Sequence, residues 1–326
     1  MTLAHGQPNS QSLPLETWRA TMRRDYLGNY LAAGGAAVKV VVATEEGREA
    51  ARLALAQDAA RDGFRYAHVD SAKSRVHLVH QFVSDVASQL PWTDIAKHVV
   101  ADALREKHYT LPGSGDLSLK ALAEANDQTE AEVVKDLRKI ISSRVFQNYN
   151  LSREFRTAAT VLCRAVYDHD AEVQAEAADV RAWLDGTLQR ITLLRRHGIF
   201  RKIGRANARQ IFYSIAAWLS GSGEKGLIVT IDVARYVLGK DAPPAAFAAY
   251  TKLAELDFSE VLRQFIDATD DLQGVLLVFL TDERFVREEK RGLRAYDALR
   301  LRLSDDVRDR DRPNPLAPMV LLEGRA

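Results

Sequence analysis

Three short apolar runs constrain this chain more than any other feature: "VKVVV" at 38–42, "LIVTI" at 227–231 and "VLLVFL" at 275–280. A strand with one wet face alternates apolar and polar residues. These runs barely alternate, which is how strands covered by helices on both faces read, and such strands belong to parallel sheets. The second and third end in an acid, at Asp232 and Asp282. Helical patterns surround all three, so the fold class is α/β.

The chain around the sheet divides by pattern. Residues 1–14 read as a disordered lead, and 15–33 as a first helix closed by Gly34-Gly35. A strand at 37–43, a helix at 47–61 and a second short strand at 64–69 follow. The region 75–195 reads as a run of amphipathic helices broken by the loop "YTLPGSGDLS". Helices at 207–219, 257–269 and 292–304 and a last strand in "MVLLE" complete the pattern. The expected organisation is one α/β domain from 15–74 and 196–326, interrupted by a helical insertion at 75–195.

Composition excludes several classes. With 47% apolar and 27% charged residues the 326-residue chain has the balance of a soluble globular protein. No run of about 18 apolar residues exists to span a membrane. The polar start "MTLAHGQPNSQSLPLE" does not read as a signal peptide. Cys163 is the only cysteine, which removes internal disulfides and cysteine-based zinc sites; it sits in "AATVLCRAV", the pattern of a buried structural thiol. His68, His77 and His80 have no metal-ligand spacing, and Gly221-Ser222-Gly223 reads as a loop and not a nucleophile elbow. A cytoplasmic protein is expected.

Net charge is +1, so the whole-chain field does not call for nucleic acid. The distribution is uneven. "RRHGIFRKIGRANAR" at 195–209 carries six cations and no acid, whereas 114–140 and the tail 305–311 are acid-rich or mixed. The basic patch Arg195, Arg196, Arg201, Lys202 and Arg205, with Phe200 among them, could meet a phosphate backbone or an acidic partner. A solvated face paired with acids of the insertion accounts for the same residues.

The stretch "VVVATEEGREAARLAL" has the strand–turn–helix frame of a phosphate-binding loop. Such a loop uses glycines to face backbone N–H groups toward phosphates, a lysine for the β- and γ-phosphates, and a Ser/Thr hydroxyl for magnesium. "LIVTID" would supply the magnesium-side carboxylate, Asp232. Read without ancestry, the stretch is a plain strand followed by an alanine-rich helix with acidic first-turn residues.

The order "YLAAGGAAVKVVVA", then helices, then "RANARQIFYSIAAWLSGSGEKGLIVTIDVARYVL" and "GLRAYDALRLRL" resembles the P-loop ATP-binding proteins of BREX-type phage-defence systems, over about residues 18–305. The resemblance implies an AAA+-like P-loop ATPase fold with the sequence Gly-x-x-Gly-Ser-Gly-Lys-Thr after the first strand. Here Thr44, Glu45, Glu46, Gly47, Arg48, Glu49, Ala50 and Ala51 occupy those positions, with Ala50 at the lysine and Ala51 at the threonine. The second acid of the strand-end pair is replaced by Val233. The resemblance also suggests sensing roles for Asp282 and Arg284, and for Asn207 and Arg209. Glu45, Glu46 and Glu49 would set three carboxylates where phosphates should lie. They can satisfy the helix dipole themselves, an effect of about 0.3–1 kcal/mol per group at an exposed end.

The sequence therefore predicts a degenerate phosphate site, with no catalytic residue, no metal and no resident cofactor; ATP and Mg2+ would bind only if that site is retained. The expected role is an assembly or recognition subunit of a phage-defence complex. Its expected partners are ATPases, a helicase or DNA-modifying proteins, and oligomers of the chain itself. An ATPase completed by a neighbouring subunit, and a DNA-binding adaptor acting through 195–209, are the alternatives.

Overall fold

The computed structural model describes residues 12–245, 248–304 and 313–323. The expectations for residues 1–11 and for the charged tail at 305–311 lie outside the described residues. In chain order, α1 (Leu15–Thr21) runs into a π-helical turn (Met22–Leu27), followed by β1 (Ala36–Val42), α2 (Glu45–Asp62) and β2 (Arg65–Asp70). Six helices come next: α3 (Val79–Ser88), α4 (Trp92–Glu106), α5 (Leu119–Asn126), α6 (Glu130–Ile141), α7 (Arg153–Tyr167) and α8 (Ala171–Leu184). A 3-10 segment (Ile191–His197) leads to α9 (Ala208–Ser220), β3 (Leu227–Asp232), α10 (Ala234–Leu238) and α11 (Lys252–Asp267). The last elements are β4 (Val275–Thr281), α12 (Arg284–Arg287), α13 (Asp297–Leu303) and β5 (Met319–Leu321).

The five strands form one sheet in the order β2-β3-β4-β1-β5, and every pairing is parallel. The register sets the C-terminal strand ends side by side, with Asp70 opposite Asp232, Asp232 opposite Leu280, and Val42 opposite Thr281. All seven residues of β4 are buried, as are all but the last of β3, which is what helices on both faces of a parallel sheet require. Strands β3 and β4 begin at a close approach of two backbones. A Cβ at Gly226 would lie 2.3 Å from the Gly274 carbonyl oxygen, and Gly226 has φ +135°, so only glycine fits.

The contacts divide the chain into two compact units, one of residues up to 86 and from 225 on, the other of 87–224. In the α/β unit, Trp18, Met22 and Leu31 pack on Leu55 of α2 and on Val41, Ile228 and Leu276 of the sheet. Leu13 is drawn into this core: its N–H donates to the Leu321 carbonyl at 2.8 Å and its carbonyl accepts from Glu323. Leu13 thus corrects the end of the expected disordered lead, because an isolated parallel bridge to the last strand satisfies its backbone.

The helical unit extends further than the insertion expected at 75–195. Residues 196–224, assigned above to the α/β domain, pack here. Trp218 of α9 stacks on Trp92 with ring centroids 6.0 Å apart and meets Phe155 of α7 edge-on at 5.6 Å. Ser214 Oγ accepts the Ser152 N–H at 2.8 Å, tying α9 to the start of α7. An apolar face on α9 has no way of announcing in the sequence which core it will join. Cys163 is fully buried in α7, and burial pushes its thiol up to about 12.

Candidate functional site at the strand ends

The connection from β1 to α2 is two residues, Ala43 and Thr44. Helix α2 begins at Glu45, earlier than the expected 47, because Thr44 is an efficient N-cap: its Oγ1 accepts the Gly47 N–H at 3.2 Å. A Cβ on Gly47 would sit 3.0 Å from the Ala43 methyl, so the tight turn favours a glycine there. Glu45, Glu46, Gly47, Arg48, Glu49, Ala50 and Ala51, aligned above with a phosphate-binding loop, all lie within helix. Only two residues separate the strand from the helix, and Ala51, at the position of the threonine hydroxyl, is completely buried.

Arg48 takes the central place. Only 7% exposed, it directs its guanidinium to the carboxyl ends of the strands. Its Nε donates to Asp232 Oδ2 at 3.0 Å, and its Nη1 donates to the Ala43 carbonyl at 3.2 Å. The same Nη1 lies 3.8 Å from Asp282 Oδ2. The acid expected to hold magnesium is therefore hydrogen-bonded to the chain's own cation, and the acid after β4 flanks it from the other side.

The three neighbouring strand ends share a local device. Asp70 Oδ1 accepts the Ala72 N–H at 2.7 Å, Asp232 Oδ1 accepts that of Ala234 at 3.0 Å, and Asp282 Oδ1 accepts that of Arg284 at 3.0 Å. Each carboxylate folds back on the backbone two residues ahead and turns the chain off the sheet. Asp70 escaped the sequence reading, although "YAHVD" ends in an acid as the other two strands do. Behind it, His68 Nδ1 and the Tyr66 hydroxyl both meet the buried Thr230 Oγ1, at 2.9 and 2.6 Å. Burial depresses the His68 imidazole below its ordinary value, and burial raises the Tyr66 phenol.

The remaining expected residues are dispersed. Arg52 makes two hydrogen bonds to Glu49 along the α2 surface, at 2.7 and 2.5 Å, and this bond holds the Glu49 carboxyl below the usual range. Glu45 and Glu46 are exposed. Arg284 points its Nη1 to Asp241 at 2.7 Å. Asn207 belongs to the helical unit and braces its own loop, accepting the Gly204 N–H at 2.8 Å; Arg209 lies half-buried in the first turn of α9.

In the basic segment, Arg196 pairs with Glu172 and Glu176 at 2.6 and 3.0 Å, and Arg201 pairs with Glu154 at 3.0 Å. Arg195, Lys202 and Arg205 are exposed, and among the described residues none has a carboxylate within pairing distance. The segment thus divides between cations held by acids of the helical unit and cations left to solvent.

A five-stranded parallel sheet covered by helices, with acids at adjacent strand ends, is consistent with a P-loop-like fold. Residues 115–324 match the family model described as BREX system ATP-binding protein BrxC/D, which is more than half of the 326 residues. The chain belongs to that family. No curated protein and no solved structure matches the chain. The matched stretch holds β3, β4 and the basic segment and begins after β1 and α2. Membership makes the chain a component of a defence system and implies the system's other components as partners. Among the described residues no helix is long and apolar enough to cross a membrane.

Proposed function

We propose that this BREX-family chain is an assembly and recognition subunit that keeps an ATPase-type fold of the AAA+ kind and has lost its phosphate site. The observation that carries this reading is Arg48. Its guanidinium lies between Asp232 and Asp282 and on the Ala43 carbonyl, where an active site of this fold would place magnesium and the outer phosphates. A bound metal would have to displace a hydrogen-bonded cation from Asp232. A triphosphate would meet a two-residue turn instead of a cradle of N–H groups, beside the exposed carboxylates of Glu45 and Glu46. The unit then serves as a rigid surface for the ATPase, helicase or DNA-modifying subunits of the system, in the cytoplasm.

The test is a titration of the full-length protein with a fluorescent ATP analogue, with and without magnesium, beside Arg48→Ala. The native chain should give no saturable signal up to millimolar nucleotide. Micromolar, magnesium-dependent binding by the native chain would overturn the reading.

The family's description as ATP-binding favours a second reading, in which a neighbouring subunit supplies the missing cation and Asp232 keeps a metal role. Phosphate release by the co-purified assembly, compared with an assembly carrying Asp232→Asn, separates the two. A loss of tenfold or more on this change supports the second reading, and unchanged turnover assigns hydrolysis to other subunits.

A further inference from the structure

The helical unit holds a cavity of about 330 Å³ between two of its helices, and the strand-end site makes no use of it. That volume is at the small end of the range for ligand sites. One wall comes from α6 and the π-helical turn that continues it, Ser142–Phe146, and carries Arg138, Ser142 and Phe146. The other comes from α7 and carries Thr160, Arg164 and Tyr167. Positions 138, 142 and 146 follow the i, i+4, i+8 spacing, and 160, 164 and 167 the i, i+4, i+7 spacing, so each set lies along one face of its helix.

The lining offers donors and holds no carboxylate. Tyr167 is only 4% exposed, and a buried phenol ordinarily finds a hydrogen-bond partner. Its hydroxyl has none among the described residues, and neither has that of Ser142. Burial pushes the Tyr167 phenol up to about 12, against the opposing pull of the Arg164 and Arg138 charges, so it keeps its proton and stands as a donor. Arg138 is exposed and has no carboxylate within pairing distance among the described residues. Arg164 differs, because its Nε and Nη2 both donate to Asp168 Oδ2, at 3.1 and 3.0 Å. Thr160 gives its proton to the Arg156 carbonyl at 2.8 Å. The Phe146 ring is 50% exposed, and Arg156 steadies it: its guanidinium lies 6.0 Å from the ring centroid and its Nη1 donates to the Phe146 carbonyl at 3.2 Å.

One uncommitted guanidinium, two unpartnered hydroxyls and a half-open ring therefore face the same space. We propose that this cavity binds a small aromatic carboxylate, with its carboxylate on Arg138, Tyr167 and Ser142 and its ring on Phe146. A planar guanidinium meets a carboxylate through two parallel N–H bonds. A phosphate monoester brings nearly two charges, and the second would find only Arg164, which Asp168 already holds. An aliphatic acid would leave the Phe146 ring without a plane to stack on, and a cation would face two guanidiniums. The proposal is independent of the reading of Arg48.

The experiment is a calorimetric titration of the full-length chain with naphthoate, beside three analogues. Naphthoate should bind with a Kd of about 1 mM or tighter, the level for a ligand of this size. Naphthamide, which keeps the rings and lacks the charge, should bind roughly tenfold more weakly or worse. Cyclohexanecarboxylate, which keeps the charge and lacks the plane, should bind roughly threefold more weakly or worse. Arg138→Ala and Tyr167→Phe should each weaken naphthoate roughly tenfold, and Phe146→Ala roughly threefold or more. Tyr167→Phe removes a hydroxyl that has no partner in the chain, so its melting temperature should match the native one, which separates a binding role from a structural one. The proposal is overturned by no saturable binding of naphthoate, by naphthamide or cyclohexanecarboxylate binding as tightly, or by Tyr167→Phe and Arg138→Ala binding as the native chain does. Naphthyl phosphate binding more tightly than naphthoate would overturn the assignment to a carboxylate.

Discussion

Arginine serves opposite ends in the two units. At the strand ends of the α/β unit Arg48 is buried and fully engaged, with two hydrogen bonds and a second carboxylate at 3.8 Å. In the helical unit Arg195 and Arg205, with Lys202, stand in solvent with no acid in reach among the described residues. The first kind of cation is committed, because taking it out of water requires partners from its own chain. The second keeps its charge on offer. A chain with a net charge of +1 can therefore hold one arginine against its own acids at the strand ends and leave other cations to solvent elsewhere.

The comparison is broken most directly by removing each kind of cation. Arg48→Ala leaves Asp232 and Asp282 without their cation and the Ala43 carbonyl without its donor. The two acids are about a quarter exposed, which screens part of the effect, so the expected cost is about 2–3 kcal/mol, below the full value for breaking a buried pair. Calorimetry should register this as a fall of roughly 5–10 °C in Tm for a unit of this size. The Arg195→Ala/Lys202→Ala/Arg205→Ala triple should shift stability by about 0.5 kcal/mol or less per residue, as exposed substitutions do. If both proteins melt alike, the contrast between the two regions is gone.

A smaller effect sharpens the strand-end side. Asp232 accepts a hydrogen bond from Arg48, and Asp282 only stands near it. Asp232→Asn should cost about 1.5–2 kcal/mol, the low end of the range for hydrogen bonds to charged groups, and Asp282→Asn about 0.5 kcal/mol. Equal losses in urea denaturation would mean that Arg48 is shared evenly between the acids.

The smallest effect compares a histidine from each unit. His68 sits behind the strand ends and His197 near Glu176, at 3.5 Å; burial lowers the proton affinity of both. The unfolded chain then binds protons that the folded chain refuses as pH falls below about 6.5, so stability declines on that side and is unaffected above it. The melting temperature should fall between pH 7 and pH 5. His68→Gln should flatten the fall belonging to the α/β unit. A melting temperature that rises on acidification would contradict the stated environments.

Much of the sheet was legible because its signal is local. Residues 38–42, 227–231 and 275–280 are strands in the structure, and the apolar runs needed only to be read as buried on both faces. Helix boundaries were harder. Thr44 starts α2 two residues before the expected position through a side-chain cap, and within the helical run expected over 75–195 a new helix, α4, opens just after Pro91. Arg48 was visible as a departure from the phosphate-loop pattern, but its role was not, because Asp232 lies 184 residues away. Asp70 had the same strand-end pattern as Asp232 and Asp282 and could have been found by it.

The sequence by itself determined the α/β class, the apolar strands, the acids that end them, and the absence of a lysine and a hydroxyl after the first strand. Those are properties of neighbours along the chain: side-chain period, turn residues and residue identity. Only the tertiary structure decided that 196–224 joins the helical unit, that Leu13 pairs with the last strand, and which cations are spent and which remain free. Pairing is a matter of a few ångströms between residues from distant elements, and an arginine reads the same in a sequence whether it ends in a ring of acids or in water.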